Sequence, residues 1–144
     1  MDALVAEGIA DPGRLAVTGY SYGGYMTCWL TGTTDRFRAA VAGGAVTDLT
    51  SMSGTSDMGL ALKEHECPGD LAAQSPLTHV GRVTAPTLLL HGESDDRCPI
   101  GQSEQWFAAL RERRVPVTLV RYPGRATCSR AAAGPRTGTT TTTG

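Results

Sequence analysis

Four short, mainly apolar runs alternate with segments of helical periodicity along this chain, and this alternation constrains the fold more than any other feature. The runs are shorter than typical helices and are flanked by Gly or Pro, as is common for strands that are buried on both faces. Strands that alternate with helices predict an α/β fold with a mainly parallel sheet. The predicted strands are residues 15–17, 39–42, 87–90 and 117–120, and the predicted helices are residues 1–9, 22–33 and 102–113.

Two stretches do not follow the alternation. Residues 47–83 have no clear pattern, apart from a turn or helix start at Ser75-Pro76. From Arg125 onward the chain is rich in Arg, Ala and Gly and then in Thr, which leaves little to bury in a core. We therefore predict one folded unit, residues 1–124, followed by an aberrant, disordered tail, residues 125–144.

Length and charge exclude several classes of protein. A chain of 144 residues suffices for one domain. Its 13 basic and 14 acidic residues lack the basic excess of a nucleic-acid-binding protein. It contains neither an apolar run of roughly 20 residues nor the pattern of a signal peptide. We expect a cytoplasmic protein that binds neither nucleic acid nor membranes, and the wide spacing of Cys28, Cys67, Cys98 and Cys128 predicts free thiols.

The motif Gly19-Tyr20-Ser21-Tyr22-Gly23-Gly24 lies between the first predicted strand and the following helix. It matches G-x-S-x-G, in which the serine occupies a sharp, strained turn and small residues two positions away on either side prevent a clash. Ser21 is therefore a candidate nucleophile, and the Tyr22 amide is a candidate oxyanion donor at the start of a helix. The alternative is a glycine-rich turn with an incidental serine, but the strand before the motif and the helix after it favour the nucleophile.

Two carboxylates, Asp95 and Asp96, follow the third predicted strand. A loop after a late strand is where a hydrolase of this fold carries the acid that orients a catalytic histidine. Either carboxylate fits that role. The alternative is a solvated turn in which Arg97 forms a local ion pair, but a candidate nucleophile upstream, in the correct order, favours the acid.

These motifs together resemble the catalytic domain of the prolyl oligopeptidase family, and the acylaminoacyl-peptidase-like branch is the most similar. The resemblance covers residues 1–124 and implies a partial α/β-hydrolase fold, the carboxyl-terminal half, with a mainly parallel sheet flanked by helices. It also implies a serine peptidase that acts on peptides and needs no metal or other cofactor. The motifs that carry it are G-Y-S-Y-G-G-Y around Ser21, Ser75-Pro76, Ala85-Pro86 before Leu-Leu-Leu-His-Gly, Asp95-Asp96-Arg97 and Tyr122-Pro123-Gly124.

The resemblance implies roles for residues of the D-D-R group. The acid of the family matches the first carboxylate of the D-D-R group, which makes Asp95 the choice and Asp96 the reserve. Arg97 resembles the family residue that holds a backbone carbonyl of the substrate. Cys98 stands where the family usually has an aliphatic residue, and no function is assigned to it.

The catalytic histidine is the part of the pattern that is missing. The order in this fold is serine, acid, histidine, whereas all three histidines, His65, His79 and His91, precede Asp95. Without a base Ser21 is a weak nucleophile, so we expect the chain as written to be inactive. We hypothesise a frameshift after Gly124, because one back-translation of residues 125–129 encodes Gly-His-Leu-Phe in a shifted frame, a string similar to that of family members. We also expect about half of the family's sheet here.

Two other functions stay open at this point. A carboxylesterase or lipase-like hydrolase can use the same elbow, because the fold and the triad do not by themselves select amide over ester substrates. The chain can also be a non-catalytic fragment. The D-D-R group and the tyrosines that flank Ser21 favour the peptidase.

Overall fold

Four parallel strands form the main part of the sheet, in the order in which they occur along the chain. The computed structural model describes residues 1–124 and 140–143. The predicted parallel sheet is confirmed, and each strand continues past its apolar run, because backbone pairing extends through polar residues and Gly. The parallel strands are β1 (Ala16–Tyr20), β2 (Ala39–Gly43), β3 (Thr87–Gly92) and β4 (Val117–Tyr122).

Two long helices and several short ones accompany the sheet. The two long ones, α2 and α5, have 12 residues each. α2 packs against β1 and β2, and α5 packs against β3 and β4. None of the described helices is long and apolar enough to cross a membrane. The helices are α1 (Asp2–Ala6), α2 (Tyr22–Thr33), α3 (Leu49–Thr55), α4 (Gly59–Ala61) and α5 (Gly101–Glu112), with a π-helical turn at Leu62–Glu66 and a 3₁₀ helix at Pro76–Arg82.

The main core lies between α2, α5 and one face of the sheet. Leu89 of β3 and Trp106 and Leu110 of α5 are completely shielded from solvent there. The prediction of burial on both faces is wrong for part of β3, because Leu88 and Leu90 point away from this core and are only half-buried. Among the described strands, one face is buried over β2, β3 and most of β4, whereas β1 has no buried residue on either face.

The segment without a clear pattern, residues 47–83, folds into short helices beside the carboxyl ends of β2 and β3. Asp48 caps α3 by accepting hydrogen bonds from the amides of Thr50 and Ser51. The 3₁₀ helix begins at Pro76 after the cap residue Ser75, which confirms the predicted helix start. These short elements form a second apolar cluster, whose buried members are Val46, Leu49, Met52, Leu62 and Cys98.

The last described strand, β5 (Thr140–Thr143), pairs antiparallel with β4. Threonine favours an extended backbone. The disordered tail, residues 125–144, stays a prediction. Residues 125–139 and 144 of that tail lie outside the described residues. At the other side of the sheet, β1 pairs with β2 alone among the described strands.

Candidate active site

Ser21 joins the end of β1 to the start of α2 in a strained conformation. Its φ is 57° and its ψ is −118°, a combination that non-glycine residues rarely adopt. The Ser21 amide donates to the Gly43 carbonyl of β2 at 2.8 Å, and the Tyr25 amide donates to the Ser21 carbonyl at 2.9 Å. The sheet and the helix thus fix both backbone groups of Ser21. The predicted strand, sharp turn and helix are confirmed, and strain of this kind is concentrated at functional sites.

The glycines around Ser21 have unequal roles. A Cβ on Gly19 would lie 2.2 Å from the Gly23 carbonyl oxygen, far inside van der Waals contact. A Cβ on Gly23 would meet nothing within 4 Å. A Cβ on Gly24 would lie 2.6 Å from the Gly43 oxygen. The motif predicts that Gly19 and Gly23 both avoid a clash, whereas the structure requires a small residue at Gly19 and Gly24.

Tyr22 is the first residue of α2, directly after Ser21. Amides in the first turn of a helix have no intrahelical carbonyl to which they can donate, and the helix dipole favours negative charge there. The Tyr22 ring is exposed and stacks on Tyr25, with 5.6 Å between the ring centroids. The Tyr22 amide thus lies at a helix amino terminus beside the nucleophile, as the sequence predicts. Its role as oxyanion donor stays a prediction.

Asp95 is buried in the loop after β3, with only 4% of its surface exposed. Its Oδ1 accepts hydrogen bonds from the amides of Arg97 at 3.1 Å and Cys98 at 2.8 Å. Its Oδ2 is also buried and has no hydrogen-bond partner among the described residues. Asp96, in contrast, is exposed. A buried carboxylate oxygen without a donor lowers the stability of the fold. Asp95 Oδ2 is therefore suited to accept a hydrogen bond from an N–H group of a catalytic base, and this favours Asp95 over Asp96 as the acid.

His91 anchors the loop that carries Asp95 and is not positioned as a general base. Its Nε2 lies 2.6 Å from the Cys98 carbonyl oxygen, which can only accept, so Nε2 carries a proton. Its Nδ1 lies 2.6 Å from the Ser103 hydroxyl, and its Nε2 lies 3.8 Å from Asp95 Oδ2. Burial lowers the pKa of His91 from its ordinary value. Both ring nitrogens are therefore engaged, in a neutral ring.

The other two histidines also have surroundings that suit structural roles. His79 packs edge-on against Trp29 at 4.8 Å between centroids, and His65 is exposed in the π-helical turn. These positions agree with the expectation that neither serves as the base.

We expect acidification to destabilise the chain through His91. Because the pKa of His91 is lower in the folded chain, the unfolded chain binds a proton on this imidazole more tightly. The stabilising contribution of neutral His91 is therefore present above about pH 6.5 and declines as the pH falls. Urea unfolding at about pH 7 and about pH 5 measures it. His91→Gln should lower the free energy of unfolding by roughly 2 kcal/mol at the higher pH, because the Ser103 hydroxyl and the Cys98 carbonyl lose their hydrogen-bond partner. It should also flatten the dependence of that free energy on pH. His65→Gln is the matched control, and an unchanged pH dependence in His91→Gln would contradict the assignment.

A pocket of about 420 Å³ opens beside Ser21. Most of its wall is apolar, and about half of the lining residues come from residues 47–83. Sequence reasoning missed this pocket because short helices leave little periodicity from which to recognise an apolar face. Ser21, Tyr22, Tyr25, Val46, Leu49, Met52, Met58, Leu62, Glu66, Cys67, Gln74, Arg97 and Cys98 line it.

Arg97 reaches this pocket and pairs with a residue that the sequence did not single out. Its Nε lies 2.6 Å from Asp57 Oδ1, and its Nη2 lies 3.1 Å from Asp57 Oδ2. Asp57 lies 40 residues upstream, outside the D-D-R loop. The structure thus brings Ser21, Arg97 and the loop of Asp95 to the same edge of the sheet, together with Asp57.

A sequence profile of the prolyl oligopeptidase family matches residues 1–128. The chain belongs to this family. Its prolyl oligopeptidase relatives include the uncharacterized peptidase YuxL of Bacillus subtilis, which is 42% identical over 129 residues, or 85% of this chain and 20% of that protein. The acylamino-acid-releasing enzyme of Arabidopsis thaliana is 36% identical over 138 residues, or 85% of this chain and 18% of that protein. The chain thus spans about a fifth of the length of these relatives.

Solved structures of prolyl oligopeptidase relatives confirm the partial α/β-hydrolase fold. An acylaminoacyl peptidase in complex with Z-Gly-Gly-Phe-chloromethyl ketone superimposes with a TM-score of 0.82 and 30% identity, over 94% of this chain and 23% of that one. The acylaminoacyl-peptidase-like branch predicted from the motifs therefore agrees with the relatives in sequence and in structure.

Proposed function

We propose that this chain carries the nucleophile and the acid of a serine peptidase of the prolyl oligopeptidase family. The observation that carries the proposal is Ser21, held at a φ of 57° between β1 and α2 on the wall of an apolar pocket. A serine in this conformation presents its hydroxyl at the top of the sheet, where a peptide carbonyl can approach it.

The chemistry follows from the groups around Ser21. Its Oγ attacks the carbonyl carbon of the scissile bond, while a base removes the hydroxyl proton and the Tyr22 amide donates to the oxyanion. The carbon–nitrogen bond then breaks, and the leaving amine takes the proton from the base. An N–H group of that base donates a hydrogen bond to Asp95 Oδ2, the buried oxygen that has no donor among the described residues. The histidines of the 144 residues all precede Asp95, so the proposal requires a base from outside this sequence.

A peptide substrate is supported by the pocket and by a relative. The wall of the pocket is mainly apolar, which suits a nonpolar side chain next to the scissile bond, and Arg97 offers a charged donor at the same pocket. The acylaminoacyl peptidase in the comparison is bound to Z-Gly-Gly-Phe-chloromethyl ketone, a peptide derivative.

A graft tests the proposal. Residues 1–124 replace the matching segment of the Bacillus subtilis relative, which supplies the remaining length, and the purified graft is assayed with acylated peptide p-nitroanilides and p-nitrophenyl esters. We expect peptide hydrolysis with a kcat/KM in the range of about 10⁴ M⁻¹s⁻¹ or more. Ester hydrolysis alone supports the carboxylesterase alternative. The unsubstituted relative is the control. If it is active while a folded graft hydrolyses neither the p-nitroanilides nor the esters, the segment is non-catalytic and the proposal is overturned.

A further inference from the structure

Asp57 connects the pocket wall to the loop that carries the proposed acid. It lies between α3 and α4 and forms a two-pronged ion pair with Arg97. We propose that Asp57 is a positioning residue, which holds the Arg97 guanidinium in the orientation that binds a backbone carbonyl of the substrate. This inference rests on the proposed peptidase function and adds a residue that neither the motifs nor the family resemblance singled out.

Backbone contacts hold Asp57 in place independently of its charge. The Asp57 amide donates to the Asp96 carbonyl at 2.9 Å, and the Ser56 hydroxyl donates to the Arg97 carbonyl at 2.7 Å. The Met58 amide donates to the Ser56 hydroxyl at 3.1 Å, which closes the turn. The backbone of residues 56–58 is therefore fastened to residues 96–97, which places the Asp57 side chain beside the Arg97 guanidinium without help from its charge.

The pair is suited to orientation rather than to stability. The side chains of Arg97 and Asp57 are 39% and 46% exposed, and an ion pair in such surroundings contributes little to the free energy of unfolding. An unrestrained arginine loses considerable rotamer freedom when it binds a ligand, whereas a planar guanidinium that is already held by two parallel hydrogen bonds loses less. The expected effect of Asp57 is therefore on substrate binding.

The charge balance indicates which kind of group Arg97 accepts. Hydrogen bonds from Arg97 lower the pKa of the Asp57 carboxyl, so it is ionised at neutral pH and offsets the guanidinium charge. A compensated cation retains its N–H donors but attracts an anion less strongly. The pair thus favours the neutral carbonyl of a peptide bond over a free carboxylate, and hence peptides that extend beyond the residue at the scissile bond.

The grafted enzyme described above provides the test. We compare Asp57→Asn, Asp57→Glu, Arg97→Met and the double variant Asp57→Asn/Arg97→Met, using a blocked dipeptide p-nitroanilide and p-nitrophenyl acetate. Only the first substrate has a second backbone carbonyl. Asp11→Asn is the matched control, because it breaks a comparable exposed ion pair, with Arg14 at 2.8 Å.

We expect Asp57→Asn to raise KM for the dipeptide about 3- to 10-fold, with kcat and ester hydrolysis nearly unchanged. Asp57→Glu should restore part of the loss, and Asp57→Asn should have no further effect in the Arg97→Met background, since the two residues act as a unit. An unchanged KM in Asp57→Asn, or equal losses with both substrates, overturns the inference. A graft without hydrolytic activity overturns the proposed function instead, and an unchanged melting temperature excludes misfolding of a variant.

Discussion

Ser21→Ala is expected to abolish peptide hydrolysis and fluorophosphonate labelling in the grafted enzyme. The variant removes the atom that forms the acyl-enzyme, and loss of a triad member typically costs at least about 10⁴-fold in kcat. The unfolding free energy should change little, since the strain of Ser21 resides in its backbone. Active-site labelling followed by gel fluorescence measures the first effect, and urea unfolding measures the second. Ser94→Ala, a change at an exposed serine in the loop after β3, is the matched control.

The 144-residue chain itself provides a second arm of this experiment. Fluorophosphonates react with serines that a base has activated, and the sequence offers no histidine after Asp95. We therefore expect no labelling of the chain above the level of Ser21→Ala. If the chain alone labels at Ser21, another residue serves as the base, and the assignment of a missing histidine is wrong.

Gly19→Ala is expected to have the largest effect on stability. The new Cβ would lie within 2.7 Å of three backbone atoms of Gly23, and backbone cannot move aside as a flexible side chain can. Relief requires β1 and α2 to separate, at a cost of roughly 3 kcal/mol. Because that shift acts directly on Ser21, the labelling rate in the grafted enzyme should fall as well. The midpoint of urea unfolding and the rate of labelling are the two measurements.

Gly23→Ala is the matched control for this prediction, because it adds the same methyl group to the other glycine of the motif. Nothing lies within 4 Å of its Cβ, and alanine favours a helix by about 1 kcal/mol over glycine. We expect Gly23→Ala to be neutral or slightly stabilising. Equal losses from both variants would show that the motif, rather than the close approach at Gly19, sets the requirement.

The sequence predicts the framework of the fold well because its signals are local. Three of the four parallel strands contain their whole predicted run, and β1 contains all of its run except Leu15. α2 has the predicted bounds, since side-chain periodicity and flanking glycines act over a few residues. The half-buried Leu88 and Leu90 are the exception. An uninterrupted apolar run shows that a strand is hydrophobic, but it does not show which elements cover each face of the sheet.

The candidate site likewise contains residues that the sequence predicts and residues that only the structure reveals. Ser21 follows from a short motif between a strand and a helix. The loop after β3 limits the acid to Asp95 or Asp96, and the family resemblance favours Asp95. The pocket and Asp57 do not follow from the sequence, because the fork between Asp57 and Arg97 joins residues 40 positions apart in sequence. Such a pair leaves no periodicity and no fixed spacing in the chain. Only the three-dimensional arrangement of α3, α4 and the loop after β3 brings its partners together.

The position of β1 at one side of the sheet has a consequence for how the site responds to thermal motion. Among the described strands β1 has one hydrogen-bonded neighbour, whereas the other three parallel strands have two each. Local opening requires less free energy where fewer neighbours must separate. Within the described strands, we therefore expect the strand that leads into Ser21 to open before its neighbours do. We expect Ser21 to lose its geometry through this local transition while most of these strands are still paired.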